Sequence, residues 1–269
     1  MVEALRETFS KKYNLEKRNL SFLKLYHAGD TPGSKILFFV FYSGKTLGVV
    51  KIIRDAKHNE KLEDECNAQS NVLRVMKGDM LVPEVLHSGF VGKHFFMYET
   101  CVPGVPVGKK FAKKYITTIT EYQLQVIKKQ KVAISNIYKI FSSVPVQNKK
   151  YQELVNKLLE NSKSIFCGDN HGDMTFMNIL VNKNDLYIID WENFGERSVW
   201  GLDFVHYFVR AHNNVSIEIL LEHFDELKEK PMNSDEFESL CAIDSLYDFL
   251  EKNNQALYKD VCKEILELC

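Results

Sequence analysis

The stretch His171–Asp190, HGDMTFMNILVNKNDLYIID, constrains this chain more than any other. Its first part is polar and places Asp173 and Asn178 five residues apart. Ile179-Leu180-Val181 is a short apolar run, Asn182–Asp185 supplies turn residues, and Leu186–Ile189 is a second strand-like run that delivers Asp190. The pattern predicts a loop, a β-hairpin and a carboxylate at the hairpin's end. Such a set offers one carboxylate to accept a proton and two oxygen donors, an amide and a second carboxylate, to a hard divalent cation.

That is the base-and-metal layout of kinases, with Asp173 as the base for an attacking hydroxyl and Asn178 and Asp190 as ligands of Mg²⁺ on the ATP phosphates. The histidine-first HGD at 171–173, and Asp190-Trp191-Glu192 where protein kinases carry DFG, resemble the aminoglycoside phosphotransferase and choline kinase-like family. The resemblance implies an α+β, protein kinase-like two-lobed fold: a small antiparallel β-sheet lobe plus one helix, then a mainly α-helical lobe. It also implies transfer of a phosphoryl group from ATP, with GTP as a possible donor, to a hydroxyl of a small-molecule alcohol such as an aminoglycoside, choline, ethanolamine, a sugar or an amino sugar. A protein kinase and a non-catalytic nucleotide-binding module are the alternatives. Against the first, the stretch between Asp190 and Asp203 has little room for an activation loop and no APE segment follows. Against the second, the lysine, base and metal residues are all present.

At 269 residues the chain has enough material for one large domain or two lobes. A formal net charge of -1 gives no basic field for nucleic acid. No apolar run is long enough for a membrane span, and the charged, amphipathic N-terminus lacks a signal-peptide core. The six cysteines are scattered without a CxxC pair, which predicts free thiols in a cytoplasmic protein. Oligomeric state is not legible.

In chain order, Glu3–Tyr13 has helical spacing with Leu5 and Phe9 on one face. Three runs from Leu20 to Arg54 read as antiparallel strands, the last two joined by a tight hairpin at Ser43-Gly44. Between the first two runs lies AGDTPGS, where the resembled fold lays its phosphate loop; it is not GxGxxG, and its Gly29, Gly33 and Ser34 fit backbone N–H donors to phosphate and a plain hairpin turn equally well. Lys51, embedded in the apolar strand GVVKII, must face water or meet an anion. Glu60–Met76 reads as a helix, and the resemblance implies that its Glu65, with Glu63 as the alternative, pairs with Lys51.

Two more strands follow, and the resemblance places the linker between lobes at 99–106, separating a nucleotide-binding lobe at 1–98 from a catalytic and acceptor-binding lobe at 107–269. It implies that Met97 backs the adenine pocket and that Glu99 and Cys101 offer main-chain contacts to the base. Glu121–Phe141 reads as one long helix, Tyr151–Leu159 as a shorter one, and Ser164–Cys167 as a strand leading to His171. The resemblance implies that Asp203 is a buried support for the loop backbone, and His171 reads as a structural hydrogen-bonding residue. The region from Ser216 to Cys269 reads as helical, interrupted near Pro231; Asp244, Asp248 and Glu251 at helical spacing read as a solvated helix face with Leu246, Tyr247 and Leu250 as core, the alternative being an acidic wall for a cationic acceptor.

Overall fold

The computed structural model describes residues 1–25, 33–75, 80–108, 114–159, 163–183, 185–210, 221–222 and 232–269. It divides into two compact units, Met1–Val105 with Leu180–Glu192, and Pro106–Ile179 with Asn193–Cys269. The hairpin that ends in Asp190 groups with the first unit.

In the first unit, helix α1 (Val2–Tyr13) buries Leu5 and Phe9, the two residues its spacing selects. They join a core with Phe38, Val40, Val50, Ile52 and Phe96, and the Phe9 ring meets Tyr98 edge-on at 4.7 Å. Burying two such side chains contributes roughly 3–6 kcal/mol. Strands β1 (Leu20–Leu25), β2 (Lys35–Tyr42) and β3 (Lys45–Ile53) are followed by helix α2 (Asn59–Val75), then by β4 (Met80–Leu81), β5 (Val85–Val91) and β6 (His94–Glu99). The main sheet is antiparallel, in the order β1-β2-β3-β6-β5. Ser43 and Gly44, both at positive φ, make the tight turn between β2 and β3.

A smaller sheet joins β4, β11 (Asp185–Ile188), β10 (Ile179–Asn182) and β7 (Val105–Pro106) in that order. Parallel pairing of Leu186 with Met80 and Tyr187 with Leu81 is what attaches the hairpin to the first unit. Two-residue strands such as β4 and β7 carry too little periodicity to be seen in sequence.

The second unit begins with α3 (Ile116–Gln125), β8 (Ile127–Ala133), α4 (Ile134–Ser143), α5 (Lys149–Lys157) and β9 (Ser164–Gly168). The single helix expected over Glu121–Phe141 is therefore wrong: a strand interrupts it. Ile127 and Ile134 are one heptad apart and mimic a helical stripe, but the KKQK between them adds no apolar position. Pairing of Val132 with Ile165 and Lys131 with Phe166 joins β8 to β9 and overrides the local preference. The true stripe, Ile134, Ile137 and Phe141, belongs to α4.

After α6 (Leu202–Val205) and one π-type turn at His206–Arg210, the described chain resumes in α7 (Ser234–Asn253) and α8 (Gln255–Leu268). The start of α7 is set by a reciprocal cap: Asn233 Oδ1 accepts from the Glu236 N–H at 3.0 Å, and Glu236 Oε2 accepts from the Asn233 N–H at 2.8 Å. The expected helical region from Ser216 and its break at Pro231 otherwise lie outside the described residues, as do Gly29 and most of the GKKFAKKY run. Among the described residues no helix is long and apolar enough to cross a membrane.

The expectation of free thiols is also corrected. Cys167 in β9 and Cys269 at the chain's end form a disulfide across a sequence separation of 102 residues, while Cys66, Cys101, Cys241 and Cys262 are free. Scattered cysteines without a motif carry no pairing signal, because contact between residues so far apart is a property of the fold. Closing so long a loop restricts the unfolded chain, so reduction should lower stability by about 3 kcal/mol. Urea unfolding with and without reductant measures this, and superimposable curves would show that the crosslink contributes nothing.

Candidate active site

In the first unit, β3 places Lys51 inside the protein, 5% exposed. Its ammonium lies 2.7 Å from Glu65 Oε1 and 3.1 Å from Glu99 Oε1. Burial alone pushes a lysine pKa down, but the two carboxylates outweigh it and hold Lys51 protonated, above its ordinary range. Burial likewise pushes the Glu65 carboxyl up, and Lys51 and Lys35 together bring it below the usual value. Glu99 moves the other way: burial, with the nearby Glu65 charge, raises it despite Lys51.

Of the two candidate partners on α2, the structure selects Glu65. The helix buries Leu62, Glu65, Cys66, Gln69 and Val72, one face at three- and four-residue spacing, and leaves Glu63 half-exposed. Gln69 was not anticipated; its Nε2 donates to Glu99 Oε2 at 2.8 Å and to the Pro83 carbonyl at 2.7 Å. The Glu99 side chain thus belongs to the lysine network. Met97, paired across from Lys51, is fully buried against Leu62, Cys66 and Phe95. Cys101 is half-buried just beyond β6. Gly33 and Ser34 lead directly into β2, and the Ser34 carbonyl accepts from the Arg54 N–H at 3.0 Å.

Lys35, the first residue of β2, is the residue that sequence reasoning missed. Its Nζ lies 2.9 Å from Glu65 Oε2, 2.5 Å from Asp190 Oδ1 and 3.0 Å from Glu192 Oε2. Asp190 holds this position with φ at 67°, a left-handed backbone that a non-glycine residue adopts only when its surroundings impose it. Oxygens of Glu65, Asp190 and Glu192 lie within 4.8 Å of one another. Three hard oxygen donors fit Mg²⁺, and the Asp190 and Glu192 side chains, 33% and 38% exposed, leave room for an ion that keeps several waters.

In the second unit, the loop after β9 is pinned through its backbone. Asp203, in the first turn of α6 and buried, accepts from the His171 N–H at 2.6 Å with Oδ2 and from the Gly172 N–H at 2.9 Å with Oδ1. Tyr122 and Gln123 of α3 also donate to Oδ2, at 3.2 and 3.4 Å. Gly172 sits at φ 87°, and a Cβ there would lie 2.5 Å from the Asn193 carbonyl, so only glycine fits. Buried His171 offers Nδ1 to the Asp173 N–H at 3.3 Å, a supporting role.

Asp173 leaves this rigid frame with its side chain 46% exposed. Asn178 Nδ2 donates to the Asp173 carbonyl at 2.9 Å and to Asp173 Oδ2 at 3.1 Å, which keeps Asn178 Oδ1, the atom a metal needs, out of both bonds. His206 follows α6 and bridges two carboxylates, with Nε2 3.7 Å from Asp173 Oδ1 and Nδ1 3.5 Å from Asp244 Oδ1.

The alternative of an acidic wall does not hold. Asp244 is buried and bonded by Arg197 at 3.2 Å; Glu251 meets the same guanidinium at 2.9 Å; Asp248 is paired with Lys252 at 2.7 Å. Helical spacing placed these residues on one helix but could not reveal Arg197, 47 positions upstream of Asp244.

The pinning of the loop by Asp203 can be measured. Asp203→Asn replaces a charged acceptor of two backbone bonds with a neutral one and should cost about 2–3 kcal/mol. Urea denaturation checks it, and a loss below about 0.5 kcal/mol, the scale of an ordinary surface change, would remove the pinning role.

No protein-family model matches this chain, and no curated protein sequence matches it. Solved structures do. A thermostable mutant of aminoglycoside phosphotransferase APH(4)-Ia, in a ternary complex with ADP and hygromycin B, matches at a TM-score of 0.60 and 13% identity over 98% of each chain. APH(2")-IIia, in a GDP and kanamycin complex, matches at 0.59 and 12% identity, covering 99% of this chain and 98% of that one. A putative fructosamine-3-kinase from Haemophilus somnus 129PT matches at 0.60 and 13% identity, covering 100% and 97%. End-to-end coverage at so low an identity is agreement in architecture: the chain has the α+β, protein kinase-like fold of small-molecule phosphotransferases.

Proposed function

We propose that this protein is a nucleotide- and Mg²⁺-dependent phosphotransferase that moves the γ-phosphoryl group to a hydroxyl of a small molecule. The observation that carries this reading is the buried Lys51–Glu65 pair at 2.7 Å, with Asp190 on the same carboxylate network. A cation held by a fully buried carboxylate is oriented before any ligand arrives, which is what phosphoryl transfer asks of a protein that does little covalent chemistry.

Lys51 would bind the phosphate oxygens, and the residues to hold Mg²⁺ are Asp190 and Asn178, with Glu192 as an added carboxylate. The metal, when bound, neutralises charge on the phosphates. Asp173 accepts the proton of the acceptor hydroxyl as its oxygen bonds to the γ-phosphorus and the bond to the nucleoside diphosphate breaks. The exposure of Asp173 suits contact with a substrate from solvent. ATP is the donor in this reading, with GTP open, since the structural neighbours are complexes with ADP in one case and GDP in another. The acceptor class is the small alcohol, of which aminoglycosides, choline, ethanolamine, sugars and amino sugars are the compounds to screen. A protein kinase is disfavoured by the short stretch from Asp190 to Asp203, and a non-catalytic module by the presence of Lys51, Asp173, Asn178 and Asp190 together.

Asp173→Asn keeps shape and hydrogen bonding but cannot accept the proton. Turnover should fall by about two orders of magnitude or more, with nucleotide affinity retained; near-normal turnover removes Asp173 as the base. Asp190→Ala should abolish the Mg²⁺-dependent tightening of ATP, and calorimetry showing that tightening intact would move the metal elsewhere.

A further inference from the structure

We propose that the Lys35 ammonium holds the place of the divalent cation among Glu65, Asp190 and Glu192, and that a metal ion binding there must displace it. This deepens the phosphotransferase reading and rests on Asp190 being a metal carboxylate.

Three features of the cluster point the same way. The Lys35 ammonium donates to Glu65 Oε2 at 2.9 Å and to Asp190 Oδ1 at 2.5 Å, and it forms an ion pair with Glu192 Oε2 at 3.0 Å, so three different carboxylates surround it. Those carboxylates are the same three whose oxygens cluster within 4.8 Å as a cation would require. Finally, among the described residues the ion pairs of this network set four carboxylates, Glu65, Glu99, Asp190 and Glu192, against two ammonium groups, Lys35 and Lys51. A divalent ion carries twice the charge of the ammonium and takes the same oxygens, so the two compete.

A purely structural ion pair is the competing account, and the two differ in what happens when the ammonium is removed. If Lys35 is a placeholder, a metal substitutes for it. If it is only structural, the carboxylates are left uncompensated and a metal gives no relief.

The test uses the whole chain without nucleotide and Mn²⁺ alone as the probe, reading free Mn²⁺ by electron paramagnetic resonance. Lys35→Met should bind Mn²⁺ about tenfold or more tightly than the unmodified chain, because a like charge has left the site. Adding Asp190→Asn to it should cancel that gain. A Lys35→Met chain that unfolds in metal-free buffer and is restored by Mn²⁺ supports the proposal equally, whereas one that stays unfolded with Mn²⁺ overturns it. Equal Mn²⁺ affinity with and without Lys35 also overturns it. In that case the phosphotransferase reading still stands or falls separately, on whether Mg²⁺ tightens ATP binding to the unmodified protein.

Discussion

The Glu65 carboxylate is the interaction on which the first unit's chemistry depends. It is fully buried, and it is shared: Oε1 accepts from Lys51 on β3 and Oε2 from Lys35 on the neighbouring β2. Isolated burial of such a charge costs several kcal/mol, so removing either ammonium leaves Glu65 with half of its compensation. Helix α2 is consequently tied by charge to two adjacent strands of the main sheet, and through Lys35 to the hairpin residue Asp190. Gln69 extends the arrangement by bonding Glu99 from the same helix face. A hydrophobic face would have held α2 as firmly, but it would not have left two oriented ammonium groups.

The second unit solves a different problem with the same means. In the proposed function the loop that carries Asp173 has to be rigid while this carboxylate stays in contact with solvent. Asp203 fixes the loop by its backbone at His171 and Gly172, which leaves the Asp173 side chain unburdened by that role. Asn170, next to them, donates to the Val199 carbonyl at 2.6 Å and to that of Arg197, so the loop is held from both sides. Buried Arg197 is in turn compensated by Asp244 and Glu251. The buried charges Asp203 and Arg197 thus have backbone donors and counter-charges respectively, whereas Asp173 is half-exposed.

Features written in local order were legible in the sequence. The Asp173-to-Asn178 spacing, the hairpin to Asp190 and the α1 face of Leu5 and Phe9 follow from a few consecutive residues. Glu65 was reached through family resemblance, because apolar patterning marks Leu73 as core whereas it is exposed and Glu65 is buried. The KKQK strand failed because one heptad between Ile127 and Ile134 imitates a helical period. Lys35, Arg197, His206 and the Cys167–Cys269 bond were invisible for a common reason: each is defined by a partner between 30 and 155 positions away. A single sequence records such pairings nowhere.

The fate of the acidic residues on α7 bears on acceptor choice. Helical spacing gathered Asp244, Asp248 and Glu251, and an unpaired cluster of that kind would draw cations through long-range attraction. Asp244 and Glu251 share the one guanidinium of Arg197 and Asp248 pairs with Lys252, so three carboxylates are offset by two cations and one negative charge remains. A cation would gain far less from this group than from three unpaired carboxylates. What this helix does contribute to the loop is indirect: Asp244 faces His206, and His206 faces Asp173. If Asp173 is the base of the proposed reaction, these contacts make α7 part of its surroundings.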